Sequence, residues 1–502
     1  MRTLKITSVF VSLIVLTLAA CSKDLSEINE NPNNVSETHP QLLLTQVAYN
    51  AFGVEGTGPM YAGRMLVQTD GENNGQYYNW DRASFGEYGD LRNVTKLMEE
   101  AQRIESDTYI ALAMFFRAYY FYKLTLTFGD IPYSEALQGE NTNIFLPAYD
   151  TQKQVFQGIL KELEEANALL ASGAELIAGD IIFNGDPAKW RKLINSYRLK
   201  VLMTLSKQES DADLNIAAAF ASIYSGQPIM TSLDDNAQLE FIDQDGSRYS
   251  QFNSSSYGSG MYMDSTFIKK LQDHMDPRLF IFCSTTKNAK EAGLLDDDFN
   301  AYEGGNPIAP YGEVNDKAAA GDASKVNARY TDDPVAEPHN VLGYWEVEFI
   351  LAEAASRGWI SEDAKEHYEN GIKASFAFYQ SNARDATGVN DYASFVDESK
   401  ADAYLLEDLV NWDNATTLEE QLELIITQKY FTSFHQTGWR MYFEHLRTGY
   451  PEFLIPDSGT PPTRWIYPQS EYNQNTENVS AAIERQFGSN NDGIRQVPWW
   501  LQ

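Results

Sequence analysis

An aromatic-rich segment over residues 106–137 constrains the fold more than any other part of the sequence. Ser106, or the aspartate after it, can cap a helix by accepting a backbone N–H. Apolar side chains then recur at helical spacing, namely Leu112, Phe115, Phe116, Tyr119, Tyr122 and Leu126. Gly129 follows the last turn, and Pro132 cannot continue a helix. The pattern therefore predicts a helix over 108–128.

This predicted helix is apolar or aromatic on nearly every face, so it should be buried on most sides. Its length of about 20 residues could span a bilayer. However, Arg117 and Lys123 lie in its middle. Small alanines alternate with large aromatic residues, which suits close helix–helix packing in helical-repeat proteins. We therefore predict the central helix of a soluble all-α core.

Other stretches with helical periodicity follow one another in pairs. Four pairs are predicted: 91–104 with 108–128, 151–171 with 187–206, 344–359 with a helix after Glu362, and 418–434 with 437–451. Single helices are predicted over 41–53, over 211–225 and within 263–282, the last followed by a strand or turn.

The segment between the second and third pairs, 227–340, is rich in Gly, Asn, Asp and Ser and has few periodic runs. Neighbouring helix pairs bury one another's apolar faces in tetratricopeptide-like stacks. We therefore predict an all-α fold built on a split tetratricopeptide-like helical-repeat scaffold of about four helix pairs. The scaffold covers roughly 91–206 and 344–450, and 227–340 forms a large loop-rich ligand-binding insertion.

The start of the chain has the pattern of a lipoprotein export signal. Residues 1–20 combine a positive start, an apolar centre and small residues, which is typical of a signal peptide. The LAAC at 18–21 looks like a bacterial lipobox, in which Cys21 receives a diacylglycerol and becomes the new N-terminus. The polar residues 21–40 then predict a lipidated tether, and 41–502 the folded domain. The alternative is an ordinary signal peptide followed by a chance cysteine.

The chain has two cysteines, Cys21 and Cys283. If Cys21 is lipidated, Cys283 has no partner, so no intramolecular disulfide can form. The RLFIFC run that ends at Cys283 predicts a small, buried, hydrophobic side chain.

The formal net charge of −33 limits the partners of the protein. Nucleic acids and anionic lipid surfaces both require basic patches, so both are excluded as main partners. Neutral and cationic ligands are compatible with this charge.

Enzyme signatures are missing from the sequence. It contains no phosphate-binding G-x-x-x-x-G-K-[ST], no G-x-S-x-G, no H-E-x-x-H and no G-x-G-x-x-G. The six histidines are scattered, and among 71 acidic residues a neighbouring pair carries no information about glycoside hydrolysis. We therefore predict a protein that is not an enzyme and that uses no metal and no cofactor.

Three loops are dense in aromatic and polar side chains: 73–88, 249–262 and 302–313. A sugar ring has an apolar face that Trp and Tyr can cover, and hydroxyl groups that Asn, Gln, Asp and Arg can hydrogen-bond. The predicted ligand-binding residues are Asn73, Tyr77, Tyr78, Trp80, Arg82, Tyr257, Tyr302 and Tyr311. The alternative is that the loop aromatics pack back onto the core.

Several of these stretches resemble motifs of the SusD/RagB family, in the order in which the family has them. They are FFRAYYFYKLTLTFGDIPYSEAL, KWRKLINSYRLKVLMTLS, FILAEAASRGW, LIITQKYF, FEHLRTGYP and RWIYPQSEYNQNTENV. The resemblance spans nearly the whole mature chain, from Cys21 to Trp500. The sequence departs from the family pattern at QTGW, where an acidic residue is expected before Trp439.

The resemblance implies a nutrient-binding lipoprotein on the outer membrane of Bacteroidetes. Binding residues vary between members of the family, so the resemblance implies which loops bind the ligand and not the roles of single residues. Its partner would be a SusC-type TonB-dependent transporter, and it would capture oligosaccharides at the cell surface and pass them to that transporter. Three alternatives stay open: the same lid role for oligopeptides, a lipoprotein hydrolase, and a helical-repeat scaffold that binds only protein.

Overall fold

The computed structural model describes residues 37–257, 260–385, 387–436, 438–456 and 459–502. The predicted signal peptide, the predicted lipidation site Cys21 and most of the predicted tether lie outside these residues. Within them the chain forms twenty α-helices and four short β-strands.

The first part of the chain is helical. Its helices are α1 (Pro40–Ala51), α2 (Gly58–Ala62), α3 (Glu87–Arg103), α4 (Asp107–Phe128), α5 (Gly139–Thr142), α6 (Gln152–Ala171), α7 (Pro187–Thr204) and α8 (Ile216–Gly226). The middle part has shorter helices, namely α9 (Ser265–Asp273), α10 (Leu279–Phe282), α11 (Lys287–Glu291), α12 (Tyr311–Ala320) and α13 (Arg329–Asp332). The last part of the chain contains both long and short helices, namely α14 (Tyr344–Ser356), α15 (Ala364–Asn382), α16 (Glu398–Tyr404), α17 (Leu418–Phe431), α18 (Arg440–Thr448), α19 (Gln469–Gln474) and α20 (Thr476–Phe487).

The central helix α4 confirms the prediction for 108–128. Ser106 stands at its N-cap in an extended conformation, although its side chain makes no capping hydrogen bond. Gly129 ends the helix with φ of 94°, a conformation that glycine adopts without steric cost. Helix α4 packs between α3 and α6, and α6 packs in turn on α7. The first two predicted pairs therefore form one continuous stack.

The second half of the scaffold repeats this arrangement. Helix α14 packs on α15 and on α17, and α17 packs on α18. Helix α7 contacts α14 and so joins the two halves. The all-α, tetratricopeptide-like architecture predicted from the sequence is confirmed.

The loop-rich middle of the chain contributes strands to two small antiparallel sheets. In the first, β1 (Leu66–Gln68) pairs with β3 (Met261–Met263), and Val67 faces Tyr262. In the second, β2 (Ala237–Leu239) pairs with β4 (His339–Leu342). Each sheet joins strands that are far apart in the sequence.

Several helix boundaries differ from the prediction. Helix α8 begins at Ile216 and not at 211, since the left-handed Asn215 precedes it. Helix α3 begins at Glu87 and not at 91, and α18 covers Arg440–Thr448 and not 437–451. By contrast, the segment 263–282 forms a helix followed by a turn, as predicted: α9 stops at Asp273, and Met275 has φ of 52° before α10 begins.

Cys283 is buried and forms no disulfide among the described residues, and its burial raises the pKa of the thiol. This agrees with the prediction of a small buried hydrophobic side chain. None of the helices in the described ranges is both long enough and apolar enough to cross a bilayer.

Candidate ligand-binding site

The predicted ligand-binding residues Tyr78 and Trp80 are buried in an aromatic cluster. The Trp80 ring stacks on Trp465, with ring centroids 4.8 Å apart and an interplanar angle of 14°. It also meets the Trp439 ring edge-on at 5.5 Å. The Tyr78 hydroxyl donates to the backbone carbonyl of Ala62 at 2.9 Å. In this structure both rings support other aromatic side chains, and their predicted role in ligand binding is untested.

Three other predicted residues lie on neighbouring loops. The Tyr77 hydroxyl donates to the carbonyl of Ala309 at 2.8 Å, just before Tyr311 and the start of α12. The Asn73 side-chain oxygen accepts from the backbone N–H of Gln76 at 3.1 Å, which fixes the turn. Tyr311 is 41% exposed. The structure thus places Tyr77 close to Tyr311, while Asn73 holds the turn just before Tyr77.

The remaining three predicted residues are engaged in different parts of the protein. Arg82 is exposed, and its guanidinium lies 4.9 Å from the centre of the Tyr472 ring. Tyr302 is buried, and its hydroxyl donates to the carbonyl of Asp296 at 2.6 Å. Tyr257 is buried as well. Their role in ligand binding also stays a prediction.

An open cleft of about 520 Å³ lies between α3, α4 and the start of α18. Its aromatic lining includes Tyr120, Tyr122, Trp439, Phe443 and Trp465. Its polar lining includes Asn50, Glu55, Glu87, Asp90, Lys123 and Arg440. We call this cavity the Trp439 cleft. Residues 83–86 of the predicted aromatic loop form part of its rim.

Two tryptophans form the aromatic wall of the cleft. The rings of Trp439 and Trp465 are nearly perpendicular, at 86°, with centroids 4.6 Å apart. Trp465 is buried and is backed by Trp80, whereas Trp439 is only half-buried. A planar apolar group can therefore reach the Trp439 ring from the cleft.

The backbone before Trp439 depends on a glycine and on a distant carboxylate. Gly438 has φ of 55°, and a Cβ there would overlap the Glu55 carboxylate. The Trp439 N–H donates to Glu55 Oε2 at 3.2 Å. The carboxylate of Glu55 therefore holds the backbone just before Trp439.

Glu55 and Lys123 form an ion pair inside the cleft, with Lys123 Nζ 2.8 Å from Glu55 Oε1. Burial alone would raise the pKa of Glu55, but Lys123, Arg440 and the Trp439 N–H together lower that pKa to about 2. Burial disfavours the charged form of Lys123, but Glu55 more than offsets this, and the pKa of Lys123 is raised. Both groups are therefore charged at neutral pH and neutralise each other.

Other polar groups of the cleft have few partners. Glu87 forms no ion pair within the described part of the chain, and burial raises its pKa even though Lys123 opposes the shift. Asp90 accepts one hydrogen bond from the Asn50 amide, at 3.1 Å. The Tyr120 hydroxyl is buried and has no hydrogen-bond partner among the described residues. These groups leave room for a ligand that donates hydrogen bonds.

Sequence reasoning missed most of this cleft because its lining comes from five separate stretches of the chain. Residue composition points to loops as candidate binding segments, whereas this cleft lies mainly between helices. One signal was available: Lys123 stands in a largely apolar helix, where a buried ammonium group requires an acidic partner.

The cleft offers half-buried and buried aromatic rings, carboxylates, an ammonium group and the Tyr120 hydroxyl, which has no partner among the described residues. Such a mixture suits non-covalent binding of a compact ligand with one apolar face and a polar edge. Within the described ranges, no group of three or more His, Cys, Asp or Glu side chains is arranged to hold a metal ion.

Comparisons with known proteins agree with this architecture. The family model SusD-like_2, described as starch-binding and associating with the outer membrane, matches residues 32–468. A SusD homologue from Bacteroides fragilis NCTC 9343 is 51% identical, with 93% of this chain and 100% of that chain covered and a TM-score of 0.88. An outer-membrane protein from Bacteroides vulgatus ATCC 8482, provisionally assigned to nutrient binding, is 48% identical, with coverage of 93% and 100% and a TM-score of 0.89.

More distant structures share the fold alone. A chitin-binding SusD homologue from Flavobacterium johnsoniae is 21% identical, with 93% of this chain and 99% of that chain covered and a TM-score of 0.71. No curated protein matches the chain at a significant level. From the family model and the two high-identity structures, the chain belongs to the SusD-like family of nutrient-binding proteins associated with the outer membrane.

Proposed function

We propose that this protein captures oligosaccharides at the cell surface without altering them and passes them to a SusC-type TonB-dependent transporter. The observation that carries the proposal is the perpendicular Trp439–Trp465 wall of a polar-rimmed cleft in a SusD-like fold. A sugar ring packs its C–H face on an aromatic ring and points its hydroxyl groups at polar side chains. The cleft of about 520 Å³ falls within the range of roughly 300–1,000 Å³ that is common for small-ligand sites.

Asn73, Tyr77 and Tyr311 are a second contact area in this proposal. The Tyr77 hydroxyl donates to the Ala309 carbonyl, just before α12, which begins at Tyr311. An oligosaccharide has several rings, so it can contact more than one aromatic surface. The predicted roles of these three residues belong to this part of the proposal.

Membrane attachment and the transporter partner complete the proposal. Cys21 would carry the lipid, and the polar tether 21–40 would hold the helical domain at the outer membrane. Membership of the SusD-like family supports both points. The protein would then act as a lid that closes over the transporter by a hinge motion.

Calorimetry with a panel of oligosaccharides tests this function. A few stacked rings must offset the cost of ordering the ligand, so we expect Kd values from about 1 μM to 1 mM. Trp439→Ala should weaken binding by roughly ten-fold, since it removes the reachable ring of the wall. The matched control is Trp499→Ala, which changes another half-buried tryptophan whose ring packs on Phe156.

The control variant should bind like the unmodified protein. Absence of binding across the whole panel, or equal affinity of the Trp439→Ala variant, would contradict the proposed site.

Oligopeptide capture is the second candidate function. The observation in its favour is the net charge of −33, which attracts cationic peptides. Calorimetry with peptides and oligosaccharides distinguishes the two functions, because peptide binding with no oligosaccharide binding would favour the peptide role.

A further inference from the structure

We propose that the Trp439 cleft selects sugars that carry a free, protonated amine, and that Glu87 binds this amine. The inference rests on the proposed oligosaccharide function and adds the chemical class of the sugar. Some charged side chains of the cleft are already neutralised by a partner within the protein, whereas others are not, and this difference carries the inference.

The two cations of the cleft already have partners. Lys123 is 2.8 Å from Glu55. The Arg440 guanidinium donates to the carbonyl of Asn340 at 3.0 Å and lies 3.9 Å from the Glu346 carboxylate. Both cations are therefore paired with other groups, and Lys123 offsets the charge of Glu87 only in part.

The acidic groups of the cleft outnumber these cations. Glu55, Glu87 and Asp90 line it, and Glu87 forms no ion pair within the described ranges. Glu87 belongs to the first turn of α3, where the helix dipole favours a carboxylate. Nevertheless burial raises the pKa of Glu87, so the helix end and Lys123 do not fully offset the loss of solvent.

An unpartnered hydroxyl lies in the same cleft. The buried Tyr120 O–H has no hydrogen-bond partner in the described part of the chain. Burial and the nearby Asp90 carboxylate raise the pKa of Tyr120, so the hydroxyl stays protonated and neutral. Its oxygen can accept a hydrogen bond from a ligand, or its proton can be donated to one.

An ammonium group fits this set of partners better than a hydroxyl does. It has three N–H donors and no acceptor, and Glu87, Asp90 and Tyr120 provide acceptors. A neutral sugar that fills the cleft would cover the Glu87 carboxylate without neutralising it, which is unfavourable. The half-buried Trp439 ring adds a cation–π contact for a nearby ammonium.

The test is calorimetry of the full mature protein with three matched oligosaccharides: glucosamine oligomers, N-acetylglucosamine oligomers and glucose oligomers of equal length. We expect the glucosamine oligomers to bind roughly ten-fold more tightly than the other two, because a charge-assisted hydrogen bond is stronger than a neutral one. Glu87→Gln keeps the shape and removes the charge, so this preference should disappear.

The matched control is Glu477→Gln, which changes an exposed glutamate in the first turn of α20. It should retain the full preference for the amine. Asp90→Asn serves as a second variant and should reduce the preference by about three-fold. Thermal unfolding of each variant shows that it is folded.

The outcomes separate this inference from the proposed function. If all three oligosaccharides bind equally well, or if Glu87→Gln keeps the preference, the amine assignment is wrong while oligosaccharide binding stands. If a lysine-rich peptide binds more tightly than every sugar, the amine is recognised on a peptide and the inference is overturned. If no ligand binds, both proposals fail.

Discussion

Buried charged side chains connect helices α14 and α18 within the second half of the scaffold. Arg447 of α18 forms a two-point pair with Glu353 of α14, with N–O distances of 2.5 and 2.7 Å. Both side chains are buried. Arg447 belongs to FEHLRTGYP and Glu353 to FILAEAASRGW, so two of the motifs that indicate the family meet in one ion pair. Loss of one partner from such a pair leaves an uncompensated charge, at a cost of about 3–5 kcal/mol.

The buried carboxyl group of Asp264 should make the stability of the protein depend on pH. It caps α9 by accepting from the Thr266 N–H at 2.6 Å, while its other oxygen is buried without a partner among the described residues. Burial raises the pKa of Asp264 to about 7 from 3.8. Because the folded-state pKa is the higher one, the contribution of Asp264 to stability is present at low pH and is lost as the pH rises through about 7.

Asp264→Asn keeps the capping oxygen and removes this titration. From pH 5 to pH 8 the unmodified protein should lose about 1–4 kcal/mol of unfolding free energy relative to the variant, as measured by urea denaturation. Asp273→Asn, at a partly exposed position of the same helix, is the control and should keep the original pH dependence. An unchanged pH dependence in Asp264→Asn would refute the assignment.

Individual side chains also mark where sequence reasoning about the site reached its limit. Trp80 is in an aromatic loop, as a ligand-binding residue would be, but its ring is covered by Trp465. Local composition does not reveal whether a ring faces inward or outward. The sequence drew attention to Trp439 only through the residues that precede it. Its place in a cleft was not predicted, because its neighbours there come from distant parts of the chain.

Helix packing in the second half of the scaffold depends on a close approach at Gly371. A Cβ at this position of α15 would lie 2.6 Å from the ring of Phe349 in α14. Gly371→Ala should therefore destabilise the fold by about 1–3 kcal/mol through overpacking, although alanine favours helix by roughly 1 kcal/mol. Chemical denaturation measures this change.

Gly312→Ala is the matched control for that substitution. Gly312 lies in α12, where an added Cβ meets nothing within 4 Å. We expect this variant to be unchanged or more stable by up to about 1 kcal/mol. Equal stability of the two variants would show that α14 and α15 do not pack as closely as described.

Helices and strands could be predicted from the sequence where the pattern that indicates them lies within one short segment. The long helices were predicted because their apolar residues repeat within one segment, as in α4 and α6. The small sheets were not, since strands as short as Leu66–Gln68 have no measurable period and pair with a distant partner. Boundaries such as the end of α9 depend on single turn residues.

The whole molecule assembles the Trp439 cleft from both ends of the chain. Residues 83–86 follow Arg82, which bridges to Ile466 next to Trp465. Helix α4 supplies Tyr120 and Lys123, and the start of α18 supplies Trp439. The order of the motifs was sufficient to predict the fold, whereas the cleft required the packing of the complete scaffold.

The central claim is that a sugar ring binds against Trp439. The most direct test is a crystal structure of the protein with an oligosaccharide that binds in the calorimeter. We predict a sugar ring parallel to the Trp439 ring at about 3.5–4.0 Å, with polar groups directed toward Glu87 and Asp90. An empty cleft, with the oligosaccharide bound only on the surface of Tyr77 and Tyr311, would contradict this account.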